Sequence, residues 1–165
     1  MAPEHTRADP FGLRTGGEGT ITGTVVCAAV IAYAGDSSTS LGRLCLAIVG
    51  TVVVYWLAHL HAVTIGSSLT HAHHPRAAFQ HALGETWPIL GASVVPVGVL
   101  VGASLLGAEL RTAAWIALVA SIALIAGYSY LAGVRSGLDR RGRLMSAAAG
   151  LGLGLLVVLL KVGLH

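Results

Sequence analysis

Five long apolar runs, separated by short polar segments, decide what this chain can become. They cover approximately residues 19–35, 44–69, 87–108, 112–134 and 144–164 of 165. A membrane-spanning helix needs about 20 apolar residues. The second, third and fourth runs meet that length comfortably. The first is short. The fifth carries Lys161, near enough to its end to snorkel toward headgroups. The runs are continuously apolar and do not alternate, which indicates helices and not a β-barrel.

Composition agrees. Only 10% of the residues are charged and 55% are hydrophobic. A soluble domain has about 25% charged residues. So little charge cannot cover a water-facing surface, so most of the surface must face lipid. The 22 glycines suit helices that pack closely through small side chains. The expected fold is all-α: an integral membrane bundle of five transmembrane helices, with a short interfacial helix between the second and third. Residues 1–18 are polar, carry Pro3, Pro10, Gly12, Gly16 and Gly17, and read as a flexible cytoplasmic tail. Residues 19–165 form the transmembrane domain.

Ala32-Tyr33-Ala34 resembles a signal-peptide cleavage site, but Glu4, Asp9 and Glu18 offset Arg7 and Arg14 in the segment before it. A cleaved signal has a clearly basic start, so an uncleaved first helix is expected. Cys27 and Cys45 each fall inside an apolar run and read as small buried hydrophobes. The formal charge is +3. Its basic residues lie between the runs, where they set topology, and no basic patch interleaves with aromatics. Nucleic-acid binding is therefore not expected.

With five spans, Arg7, Arg14, Arg76, Arg135, Arg140, Arg141 and Arg143 share one side, against Arg43, Arg111 and Lys161 on the other. Seven against three places the N-terminus in the cytoplasm and the C-terminus outside. Between the second and third runs, Pro75 suits the first turn of a short helix. Arg76, Phe79, Gln80, His81 and Leu83 would lay that helix on the headgroups. Trp87 reads as an interface anchor, with Pro88 in the first turn of the third span. Glu109 and Arg111 read as a solvated pair in an external turn.

The chemistry-bearing residues concentrate in the second run. An ionisable side chain at membrane depth is costly without a partner or water, which makes it a functional-site candidate. Tyr55 and His59 are i,i+4 neighbours on one side of that helix. His61, Thr64, Ser68 and His71 form a polar line on nearly the opposite side. The line reads either as the wet wall of a cavity or ion path, or as helix-to-helix hydrogen bonding with His61 reaching to the interface. His59 is deeper. It reads either as a structural hydrogen-bonding group or as a proton or transport site. Its candidate partners are Tyr55, Glu85 at the entrance of the third helix, and the Ala92 carbonyl that Pro96 frees by kinking the middle of that span. The deciding observation is whether the bundle holds a hydrated cavity touching His59.

His59, His61, His71, His73, His74 and His81 also invite a metal reading, since histidine is the commonest transition-metal ligand. Their spacing departs from the HxxxH and HxxHH boxes of membrane di-iron enzymes. His59 and His61 cannot converge on one ion from a regular helix. No cofactor is expected on this pattern beyond a loose divalent transition-metal site at His71, His73 and His74. The chain contains no phosphate loop, nucleotide fingerprint, nucleophile elbow, zinc-protease motif or potassium-filter sequence. Gly98-x3-Gly102 and Ser146-x3-Gly150-x3-Gly154 are small-residue faces for packing within the bundle or in a homo-oligomer.

The segment Val54-Tyr55-Trp56-Leu57-Ala58-His59-Leu60-His61-Ala62, followed by Glu85-Thr86-Trp87-Pro88 and Pro96, resembles an element of small uncharacterised multi-pass membrane proteins of high-GC Gram-positive bacteria. The resemblance spans roughly residues 50–105. It implies a bacterial plasma membrane and draws attention to His59, Glu85, Trp87 and Pro96. It carries no activity to transfer. Three function classes follow. The leading one is a small proton- or cation-linked channel or carrier that uses a polar face of the second helix. The others are a non-catalytic accessory or structural membrane subunit, and a histidine-metal membrane enzyme.

Overall fold

Each apolar run folds into helix, because a backbone in an apolar setting must satisfy its own hydrogen bonds. The computed structural model describes the backbone of residues 18–71 and 75–164, and the side chains of residues 19–66 and 79–163. Six helices follow in order: α1 Glu18–Ala34, α2 Leu41–His71, α3 Pro75–Gly91, α4 Val94–Leu105, α5 Leu110–Arg135 and α6 Arg140–Leu164. No strand occurs among the described residues. Among the described residues, four segments are long and apolar enough to cross a membrane: Leu41–Gly66, Phe79–Leu105, Leu110–Arg135 and Arg140–Gly163. Gly19–Ala34 is a shorter apolar helix. At about 1.5 Å per residue, the 17 residues of α1 reach about 25 Å, just under a hydrocarbon core of about 30 Å.

The region between α2 and α4 corrects the sequence reading twice. The short helix after Pro75 is not separate from the third span. α3 runs without interruption from Pro75 through Pro88 to Gly91, and the apolar stretch already begins at Phe79. The break lies at Ala92–Ser93, between α3 and α4. Pro96 therefore sits in the first turn of α4, where a missing N–H is tolerated, and not in mid-helix. Ser93 marks the break. Its Oγ donates to the Leu90 carbonyl at 2.8 Å, and its carbonyl accepts from Val97 N at 3.1 Å.

Helix turnings are tight. Gly107 (φ 90°) and Gly137 (φ 70°) end α4 and α5 in the left-handed region that favours glycine. The backbone bonds Ala108 N to Ala103 O and Leu138 N to Gly133 O close these ends, at 3.0 and 3.1 Å. Asp139 Oδ1 then accepts from Gly142 N at 2.8 Å and opens α6.

α1 is central and touches every other helix. It lies on α3 through Gly23, where a Cβ would come within 2.5 Å of the Ile89 carbonyl oxygen and 2.8 Å of the Ala92 Cβ. It lies on α5 against Ala113, Ala114 and Ala117, all buried. Cys27, Ala28, Ile31, Leu44, Ile48, Val52, Leu100 and Leu118 complete the core. Gly150 and Gly154 pack inside the bundle, against Ser129 and Ile122 of α5, whereas Gly98 and Gly102 meet nothing within 4 Å. The outer surface is strongly apolar. Leu46, Leu105, Leu106 and Leu159 are all more than half exposed, as lipid-facing side chains are. The architecture is compatible with a multi-pass membrane protein.

Candidate functional site

Two polar constellations interrupt the apolar interior, one at each end of α1. The first surrounds a cavity of about 410 Å³ between α1, α2 and α3. It is lined by Gly19, Thr22, His59, Val63, Glu85, Thr86 and Ile89. His59 is half-buried, and its ring stacks on Tyr55 with centroids 6.1 Å apart and planes 12° apart. The i,i+4 spacing on α2 makes that stack. Glu85 enters the cavity from α3 and pairs with His81 one turn earlier, Nε2 to Oε1 3.3 Å. Both members of that pair are more than half exposed, so the carboxylate links solvent to the cavity.

Thr86 fixes the wall beside them. Its Oγ1 donates to the Ala82 carbonyl at 2.8 Å and accepts from Trp56 Nε1 at 3.1 Å. A buried indole N–H needs a partner, and this one joins α2 to α3 next to the cavity. Deeper in the bundle, Ile48 and Val52 of α2 and Leu100 of α4 form packed core next to Ile89. At about 1.5 Å per residue, Val52 lies about 10 Å from His59 along α2. The polar space therefore ends against apolar side chains.

The structure separates the other candidates from this cavity. His61 is exposed on the bundle surface, and Thr64 Oγ1 donates to the Leu60 carbonyl on its own helix at 2.7 Å. Neither lines the cavity. Pro96 is buried in α4, and Ala92 is not in the lining. The side chains of Ser68 and His71, and the whole of His73 and His74, lie outside the described residues. Among the described residues, no group of three His, Cys, Asp or Glu could hold a metal ion.

The second constellation corrects the reading of Lys161. This side chain does not snorkel outward; it is 4% exposed and turned into the bundle. Its Nζ lies 2.8 Å from Asp36 Oδ2 and donates to the Ala32 carbonyl at 3.1 Å. The ammonium also sits 4.9 Å from the centre of the Trp115 ring, within cation–π range. Arg111 is not the solvated partner of Glu109. Its Nε faces Asp36 Oδ1 at 3.4 Å, an electrostatic contact longer than a good hydrogen bond. A buried ammonium costs several kcal/mol unless paired, and Asp36 supplies the pair. The sequence reading offers no role for Asp36, Thr22 and Thr86, and names His81 only within the histidine cluster and the expected interfacial helix. The available signal for Asp36 and Lys161 was opposite charge at the ends of two apolar runs.

Comparison with protein-family models, with curated proteins and with solved structures returned no match.

Proposed function

We propose that this protein is a small multi-pass carrier of the bacterial plasma membrane that moves a proton or a small cation, with the His59–Glu85 cavity as its loading site. The observation that carries this reading is the meeting of an imidazole and a carboxylate in one cavity inside an apolar bundle. At about 30 Å³ per water, about 410 Å³ has room for roughly a dozen waters. Glu85 would attract the cation, and the His59 imidazole, whose two ring nitrogens can donate and accept, would pass on the proton. His81 extends the polar path to solvent. The packed core beyond Ile89 supports a carrier over an open channel.

In this reading α1, α2, α3 with α4, α5 and α6 make five crossings. The N-terminus is cytoplasmic and the C-terminus external, as the seven-to-three arginine and lysine bias favours. The resemblance to Gram-positive membrane proteins supports the bacterial setting. A second reading, an accessory subunit, is favoured by one feature. Gly98 and Gly102 leave an open small-residue face on α4 that would accept another helix or a second copy.

Reconstituted vesicles holding a pH-sensitive dye test the proposal. Proton or cation flux is expected in wild type and should disappear in His59→Ala while the helices stay folded. Glu85→Gln should reduce it strongly. No wild-type flux across a range of ions and pH, with His59→Ala merely less thermostable, would overturn the carrier reading.

A further inference from the structure

Among the described residues, the Asp36–Lys161–Arg111 cluster is the ion-pair constellation that the loading site does not use. It holds α1 by its C-terminal end. Lys161 comes from α6 and takes both the last-turn carbonyl of Ala32 and the carboxylate of Asp36. Arg111, at the start of α5, takes the other carboxylate oxygen. The opposite end of α1 contributes Gly19 and Thr22 to the cavity. One short helix thus connects the two polar constellations.

The contacts of α1 with α3 and α5 include small residues on both sides. On the α5 side, Ala114 stands against Gly35 just past the end of α1, where an added Cβ would come within 3.0 Å of the Ala114 Cβ. On the α3 side its own Gly19 and Gly23 make the contact. Larger side chains share the same core, Ile31 of α1 with Ile89 of α3 and Leu118 of α5. Small sliding movements of packed helices use such surfaces. A directional hold on α1 comes from the ionic cluster, and removing one member of a buried ion pair leaves the other charge without its partner.

We propose that Asp36, Lys161 and Arg111 form a latch that keeps α1 in the position seen here, with the cavity accessible and the opposite end of the helix sealed. Releasing the latch lets α1 slide, which opens the sealed end and closes the cavity. The inference rests on the carrier reading for its purpose and deepens it by naming how access to the cavity is switched. Its geometry can be tested without any transported ion.

The chain supplies its own reporter. Cys27 lies on α1 between the two constellations and is fully buried. At about 1.5 Å per residue, it is about 7 Å along the helix from Ala32. The chain has two cysteines, so Cys45→Ser leaves Cys27 as the single thiol. A second reporter, Thr22→Cys with both natural cysteines changed to serine, reads the cavity end. Each is labelled with a water-soluble maleimide in detergent-solubilised full-length protein. In the wild-type cluster, Cys27 should react slowly and the cavity thiol fast. In Lys161→Met or Asp36→Asn, Cys27 should react about tenfold faster and the cavity thiol slower, the opposed change of a two-state exchange. The reversed pair Asp36→Lys/Lys161→Asp should return both rates toward wild type.

Both thiols accelerating together would overturn the latch, because a lost structural staple loosens everything at once. Neither rate changing would overturn it equally. If the buried variants do not yield folded protein, Arg111→Gln decides. That side chain is 70% exposed, and its removal should move the two rates in the same opposed directions by a smaller factor. Flux measurements separate this proposal from the reading beneath it. Opposed labelling with no flux for any ion keeps the latch and removes the carrier. His59-dependent flux with parallel or unchanged labelling keeps the carrier and removes the latch.

Discussion

His59 and Lys161 are both ionisable side chains on otherwise apolar helices, yet their surroundings differ in kind. Lys161 has a carboxylate, a backbone carbonyl and an indole face within reach, and almost no exposed surface. His59 has one stacked neighbour on its own helix and an open cavity in front of it. The first site brings together three segments that are far apart in sequence, the end of α1, the start of α5 and the end of α6. The second draws its stack from one turn of α2 and leaves room for water or an ion. In an apolar bundle a polar group that is fully partnered fixes the fold. One that faces space is available for chemistry. The contrast predicts that substitutions at the two sites will separate stability from activity.

The largest effect is expected at the filled site. Lys161→Ala leaves Asp36 largely buried without its closest cation, and breaking such a pair costs about 3–5 kcal/mol. Thermal unfolding in detergent should show the loss. Asp36→Leu/Lys161→Met should lose less than the two single changes added together, because the double variant strands no charge. A loss in Lys161→Ala no larger than in His59→Ala would erase the distinction between the two sites.

The next effect is at the α1–α3 contact that frames the cavity. Gly23→Ala drives a methyl against the Ile89 backbone oxygen, which cannot move aside as a flexible side chain would. Overpacking of this sort costs about 1–3 kcal/mol. It should also change cavity access, read by labelling at Thr22→Cys. The same substitution at Gly98 meets nothing within 4 Å and should leave the monomer's stability unchanged. A stability loss at Gly98 as large as at Gly23 would mean that a second chain covers α4.

Much of this was legible in the sequence, for identifiable reasons. The runs at 44–69, 112–134 and 144–164 became α2, α5 and α6 with boundaries only a few residues wider, because long apolar stretches have few alternatives. The observed third span departs from the expected one because the helix does not start or bend at its prolines. Pro88 is carried inside α3, and the helix breaks before Pro96 and not around it. The proximity of Glu85 to the His59 cavity was readable as a candidate, since both flank the same helix-to-helix passage. The Asp36–Lys161 pair was not. Nothing local in α6 says whether a lysine near a helix end turns outward to headgroups or inward to a partner. That choice depends on where α1 ends, which is tertiary information. The Trp56–Thr86 bond was hidden for the same reason, although a tryptophan deep in an apolar run always raises the question of what receives its N–H.

That bond provides an intermediate test. Thr86→Val keeps the shape of the side chain and removes the acceptor for Trp56 Nε1. A single hydrogen bond of this kind is worth about 0.5–1.5 kcal/mol. The melting temperature should fall modestly. Flux should fall more than stability does, because Thr86 lines the cavity and holds α2 against α3 there. A drop in stability with flux untouched would make the α2–α3 bond structural only, and would narrow the loading site to His59 and Glu85.

The smallest effect is expected at His61, and it tests the comparison most directly. His61 is two residues from His59 on the same helix, but about 200° around it at about 100° per residue. The structure puts it on the exposed surface, outside the cavity lining. Its polar neighbour Thr64 is bonded to its own helix. His61 and Thr64 therefore do not face the polar space that His59 faces. His61→Ala should change stability by less than about 0.5 kcal/mol, as exposed substitutions do, and leave flux at the wild-type level. His59→Ala in the same preparation should abolish flux. Flux lost in His61→Ala with His59→Ala still active would move the pathway to the outer face of α2. Such a face is closed off from lipid only in an assembly of several chains, so that outcome would replace the single-bundle carrier with an oligomeric one.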